Sequence, residues 1–158
     1  MPVLSTYGVN TLISDSGIIR FRMKAPEWLI YDRRHPSYWA FKKGIYVEQF
    51  DTLFHINASI KCDTAYFYDQ ERLWKLIGHV AVKNRKGEKF NTQLLYWNQS
   101  TQKVYTDKPI RIEQITRIIY AHGFESNQEM TVWKFHNVSA IMYVSSQKKD
   151  TVKAEPVK

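Results

Sequence analysis

Polar and apolar positions alternate with a period of two along most of this chain. In residues 17–32, GIIRFRMKAPEWLIYD, the side chains of Ile19, Phe21 and Met23 fall on one side and those of Arg20, Arg22 and Lys24 on the other. That pattern is a strand with one wet face. Pro26 has no amide hydrogen for a ladder, so a bend or a restart at Trp28 is predicted, and with it an edge position. Residues 33–44 read as a polar and aromatic connector ending in Gly44. Strands are predicted at 45–51 and 54–69, the second alternating through Ile56, Ala58, Ile60 and Cys62. LWKLIGHVAVK (73–83) and KFNTQLLYW (89–97) flank Asn84-Arg85-Lys86-Gly87, whose glycine can take positive φ, and so predict a hairpin. Further strands are expected at 103–112, 117–126, 130–136 and 140–144.

A weak internal repeat overlies this pattern. DTAYFYDQERLWKLIGHVAV (63–82) can be laid on NTQLLYWNQSTQKVYTDKPIRI (91–112), matching Thr64 with Thr92, Tyr68 with Tyr96 and Val80 with Ile110. Each unit is strand, polar turn, strand, which argues for an all-β stack whose hairpins bury their faces on neighbours. Three segments result: an N-terminal extension at 1–16, one β domain at 17–144, and a polar, disordered tail at 145–158.

Composition narrows the function. A chain of 158 residues fits one domain, and 15% aromatic residues with few Gly and Pro favour strands. The formal net charge of +8 suits nucleic acid, an anionic membrane or a phosphate-bearing ligand, but Lys and Arg are scattered singly and in pairs as on a solvated face. Cys62 is the only cysteine, so no intramolecular disulfide forms, and its parity puts it on an inner face as a small hydrophobe. The five histidines show no metal-ligand spacing, and no cofactor or metal is expected. No run of about 20 apolar residues occurs, and an anchor or signal is expected to be missing from this sequence rather than hidden in it.

The motifs SDSGIIRFRMKAPEWLIYD, GIYVEQFD, LIGHVAV and GFESN, the last following Ile118 and Ile119, resemble in order and spacing the LptC family, the periplasmic component of lipopolysaccharide export in Gram-negative bacteria. The resemblance runs from Gly17 to Val144. It implies an open, twisted antiparallel β-jelly-roll of two sheets, V-shaped, with an apolar groove between them. The implied protein is not an enzyme. It is a lipid carrier and adaptor that takes lipopolysaccharide from the inner-membrane ABC transporter and passes it to a periplasmic β-jelly-roll bridge. Its location would be periplasmic, attached to the inner membrane through an N-terminal anchor that this sequence lacks.

Parity assigns the inner side to Ile19, Phe21, Met23, Ile56, Ile60, Val80, Val82, Leu94, Ile110, Ile112, Ile119 and Phe124. Inward strand residues make a plain core as readily as a groove, and it is the resemblance that turns them into candidate lipid contacts. The physics agrees with it: at ~0.8 kcal/mol per methylene, one tetradecanoyl chain in water costs about 10 kcal/mol, so the cargo needs a dry track. Ten residues of strand give a wall of roughly 33 Å. Arg20, Arg22, Lys42 and Lys43 are candidates for the lipid's phosphates near the groove mouth, or plain solubilising charge. By the same resemblance the first strand, with Gly17, Ile18 and Arg20, would face the periplasmic domains of an LptF/LptG-type transporter. The last strands, with Thr131 and Trp133 or Ile141 and Tyr143, would receive an LptA-like bridge protein by strand addition.

Three other readings compete. A basic OB-like nucleic-acid module would use Tyr66, Tyr96, Trp97 and Trp133 as stacking platforms, but the strand count is too high and no nucleic-acid partner is expected. A closed lipocalin-like barrel for a small apolar ligand shares the meander. An enzyme would have to assemble Glu48 with Asp51, or Asp63 with His79, each more simply a surface or turn residue.

Overall fold

Alternation with period two produces strands and nothing else. The computed structural model describes residue 2 and residues 4–15, 18–31 and 37–144, apart from the side chains of residues 15, 18 and 19. In chain order the strands are β1 (Leu4–Asp15), β2 (Ile18–Tyr31), β3 (Tyr38–Phe41), β4 (Ile45–Phe50), β5 (Ile56–Cys62) and β6 (Thr64–Tyr68). They continue as β7 (Leu73–Asn84), β8 (Lys89–Asn98), β9 (Lys103–Glu113), β10 (Arg117–Asn127), β11 (Trp133–Phe135) and β12 (Val138–Tyr143). All pairings are antiparallel, and no helix among the described residues is long and apolar enough to cross a membrane. The sheet is not closed into a barrel: among the described residues β1 pairs only β2 at one end, and β11 and β12 pair only β10 at the other. This is the all-β stack that the alternation predicts and the open β-jelly-roll that the resemblance implies.

A single crease runs across the sheet and divides it into two layers. On β7 the buried positions are Trp74 and Leu76, then Val80 and Val82; on β8 they are Phe90 and Thr92, then Leu95 and Trp97. The break falls at Gly78 and His79, both at positive φ (82° and 47°), where β7 carries one more residue than β8. Neighbouring strands break at the same level. Pro26 of β2 lies opposite Gly8 of β1 (φ 64°), Gly44 (φ 102°) separates β3 from β4, Asp63 separates β5 from β6, and Gly123 (φ 107°) interrupts β10. Buried threonines take up the backbone groups that the break frees: Thr92 Oγ1 donates to the Pro109 carbonyl at 2.8 Å, and the Lys108 amide donates to Thr106 Oγ1 at 3.1 Å.

The crease lets one apolar face fold onto itself. Phe21 of one layer meets Trp97 of the other with ring centroids 5.3 Å apart, and Phe90 meets Phe124 at 5.3 Å and Trp133 at 5.6 Å. Met23, Phe41, Ile112 and Ile119 are fully buried between the layers. Fully burying side chains of this size contributes about 1.5–3 kcal/mol each.

Away from the crease a polar clasp ties the layers together. Asn84, buried at the end of β7, donates from Nδ2 to the Met130 carbonyl and to Glu88 Oε1, both at 2.7 Å. Trp133 Nε1 donates to Glu88 Oε1 at 3.3 Å, and Gln114 Nε2 donates to Glu88 Oε2. The β10–β11 turn is held by Asn127, whose Oδ1 accepts from the Thr131 and Val132 amides. Met130 sits in this turn at φ 60° with its side chain 1% exposed, wedged between the layers.

Several expectations are corrected. Residues 4–15 are not an extension but β1, paired with β2 along nearly its whole length; Val9 is buried and Thr11 and Ile13 are half-buried, the alternation that marks it. Pro26 does not end the strand, and β2 is interior, flanked by β1 and by β3 and β4. Part of the supposed connector, Tyr38–Phe41, is β3. Residues 54–69 form two strands instead of one. The 145–158 tail lies outside the described residues. The predicted turn at Asn84–Gly87 is present, with Gly87 at φ 82°.

Two outcomes follow from the crease and the clasp. A Cβ on Gly44 would lie 2.9 Å from the Cys62 carbonyl, whereas one on Gly87 would meet nothing within 4 Å, so Gly44→Ala is expected to lose about 1–3 kcal/mol more than Gly87→Ala in urea denaturation. Burial pushes the Glu88 carboxyl up, but hydrogen bonds from Gln114, Asn84 and Trp133 and the nearby Lys86 outweigh it, and its pKa ends below the usual 4.5. A carboxyl with a lowered folded pKa stabilises the fold above the unfolded value and loses that contribution as pH falls through the folded one. Denaturation between pH ~6 and ~3 should therefore show a shallower loss of stability in Glu88→Gln than in the parent chain.

Candidate functional site

The interior between the layers holds the larger of the two buried apolar clusters found among the described residues, and most predicted lining residues are in it. Met23, Ile60, Val80, Val82, Ile110, Ile112, Ile119 and Phe124 are buried there, and Phe21 is half-buried against Trp97. Two are not. Ile56 is 50% exposed, because β4 and β5 shift register between Gln49 and Phe50 and release the start of β5. Leu94 is displaced by the crease: the change of phase on β8 turns Leu95 inward and leaves Leu94 half-buried beside Tyr96 and Tyr105. The Ile19 side chain lies outside the described residues. The trough predicted between the layers is filled by the chain's own side chains, since inner residues such as Val80, Ile112 and Ile119 have no exposed surface.

The interior is approached at the mouth, opposite the crease. A recess of about 400 Å³ opens there, lined by Arg20, Phe21, Gln49, Phe50, Asp51, Thr52 and Asn57 from one layer and Gln102, Gln128 and Glu129 from the other. Of the four predicted phosphate contacts, only Arg20 lines it. Arg22 pairs with Glu48 at 3.5 Å and lies over the Phe50 ring, while Lys42 and Lys43 stand in the turn at the crease.

The two sheet ends differ from the predicted docking strands in one respect. The first edge belongs to β1 and not to the strand carrying Ile18 and Arg20, because β1 covers it; Gly17 and the Ile18 side chain lie outside the described residues. At the other end every residue of β12 is exposed, including Ile141 and Tyr143. The Val144 amide donates to the Thr116 carbonyl, so by antiparallel alternation Tyr143 and Ile141 direct their backbone groups away from β10, toward solvent. Thr131 lies in the β10–β11 turn, where its Oγ1 accepts from Asn127 Nδ2 and its amide donates to Asn127 Oδ1. Trp133 keeps its ring inside, against Phe90, Phe124 and Phe135, rather than presenting it to a partner.

Other candidates resolve more simply. Trp97 is buried and donates to Gln128 Oε1, so it is no stacking platform, whereas Tyr96 and Tyr105 stack on the outer face with centroids 5.4 Å apart. Asp63 and His79 do meet, Oδ2 to Nδ1 at 2.7 Å, because both lie on the crease, and the pair is well exposed. Glu48 is buried rather than on the surface, and Asp51 caps its turn by accepting from the Leu53 and His55 amides, which lower its pKa against the opposing effect of desolvation. Burial pushes the Cys62 thiol up to about 12, so it stays protonated on the inner face.

Sequence reading missed the clasp residues Asn84, Glu88 and Met130 and the inward-facing Gln49. Asn84 reads as turn chemistry and Glu88 falls between that turn and the next predicted strand, and only their partners 46 and 45 residues away give them another role.

A comparison with curated proteins found no match. A family model does match: the LptC-related family of lipopolysaccharide-assembly proteins, over residues 8–143. The match takes in β2 to β12 and the latter part of β1, thus both layers, the crease and the clasp. An open antiparallel jelly-roll with an apolar interior matched over most of its length places this chain in the LptC-related family, whose role lies in lipopolysaccharide transport.

Proposed function

We propose that this protein is a non-enzymatic carrier and adaptor of the periplasm, which receives lipopolysaccharide from the inner-membrane transporter and hands it to a bridging jelly-roll. The observation that carries this reading is an apolar interior running between two sheet ends that have no further strand partner among the described residues. Acyl chains would travel between the layers, shielded by the inward side chains of β2, β7, β9 and β10. The parted interior would gain the same kind of contact it gives up, an apolar side chain exchanged for an apolar tail, so opening needs no large net free energy.

The edges supply the adaptor half. Natural sheets blunt their edges, but β12 exposes Val138, Ile141, Met142 and Tyr143 on six residues of free strand. A partner strand adding here would bond to the outward groups of Ile141 and Tyr143. The other end, β1, would meet the transporter's periplasmic domains.

Photo-crosslinking groups at Phe21 and Val80, with Arg85 in the exposed turn as control, should label lipopolysaccharide from the first two positions and not from the third. Equal labelling from all three would remove the case for an internal track. Tyr143→Pro deletes an outward amide without touching the β10–β12 ladder, so it should abolish capture of an LptA-like bridge protein while leaving the melting temperature within a few degrees. Undiminished capture by this variant would place the contact elsewhere.

A further inference from the structure

The recess at the mouth contains polar groups that the fold itself does not use. Gln49 lies on β4 opposite Phe21, at the end of the inward row that begins with Ile45 and Val47, where alternation calls for an apolar residue. It is 9% exposed, and its Oε1 has no hydrogen-bond partner. Asn57 Oδ1, in the same recess, is likewise buried and unpartnered. A buried acceptor without a donor costs about 1–3 kcal/mol, so two of them side by side need an explanation. Arg20 lines the recess and makes no ion pair among the described residues, whereas the neighbouring Asp51 carboxylate is taken up by the Leu53 and His55 amides; Glu129 is the other acidic group there.

The set has a chemical complement. Two free acceptors seek hydroxyl or amide donors, and a free guanidinium seeks a phosphate. Gln128 and Glu129 of the β10–β11 turn line the recess, and the next residue of that turn, Met130, is buried in the core between the layers. An amphiphile with its tail in place of Met130 would therefore carry its head into this collar. We propose that Arg20, Gln49 and Asn57 form a headgroup site for a phosphorylated saccharide bearing hydroxyl and amide groups, and that Met130 with its turn is the stopper which the first acyl chain displaces.

This inference rests on the carrier reading, and the test separates the two. Binding of purified lipopolysaccharide, of its deacylated phosphorylated saccharide and of palmitate would be measured for the parent chain, Gln49→Met and Arg20→Gln. Gln49→Met removes an unpartnered acceptor at nearly constant volume, so it should raise the melting temperature of the free protein and weaken lipopolysaccharide binding about tenfold, the equivalent of one hydrogen bond. Palmitate, which has no such head, should bind both chains equally. Arg20→Gln should weaken lipopolysaccharide and the deacylated saccharide alike.

Unchanged lipopolysaccharide affinity in both variants would overturn the headgroup site while leaving the carrier reading intact. A deacylated saccharide that binds as tightly as the whole lipid would show a sugar-phosphate site unconnected with the interior. If the parent chain binds neither lipopolysaccharide nor palmitate, the carrier reading itself falls, and the headgroup site with it.

Discussion

A chain that makes only strands has one apolar sheet face and, among the described residues, no helix to lay over it. The face must be buried against itself, and an antiparallel sheet can do that only if its strands bend at one level while their ladders survive on either side. The crease meets this requirement with residues that tolerate unusual backbone: Gly8, Gly44, Gly78 and Gly123 at positive φ, and Pro26, which needs no hydrogen-bond acceptor. Thr92 and Thr106 then bond the backbone that the bulges set free. Core, clasp, mouth and edges all follow from where that line falls.

The same constraint explains why an open jelly-roll has a packed interior. Once two layers approach near enough for Phe21 to touch Trp97, a vacant groove would be an apolar cavity, and side chains collapse to fill it. On the proposed carrier reading, transport through such an interior would exchange one apolar filling for another. The clasp of Asn84, Glu88 and Trp133 across the mouth is polar, and so are the groups that line the recess beside it. On the carrier reading proposed above, a lipid would enter the apolar layer past polar groups, which would let charge and hydrogen bonding discriminate among cargoes that all share hydrocarbon tails.

Much of the fold was legible along the chain because a period of two is a local property. The hairpin around Asn84–Gly87, the inward parity of Met23, Val80, Val82, Ile112 and Ile119, and the buried thiol of Cys62 were all read from alternation, and the order of the short motifs carried the family. The failures cluster where a bulge changes the phase. Leu94 and Leu95 are adjacent leucines, and nothing between them says which faces in; the extra residue that β7 carries at Gly78–His79 decides it from the neighbouring strand. Ile56 continues a correct alternation across the register shift between Gln49 and Phe50, and beyond that shift its side chain is exposed.

The sequence by itself determined the strand class, most of the inner face and the family, since each depends on residue type and short-range order. Tertiary structure decided which strand is an edge, that the interior is filled, and that Gln49 is buried without a partner. These depend on contacts between positions far apart in the chain, such as Asn84 with Met130 or β1 with β2, where long-range geometry and not local pattern sets which surfaces meet.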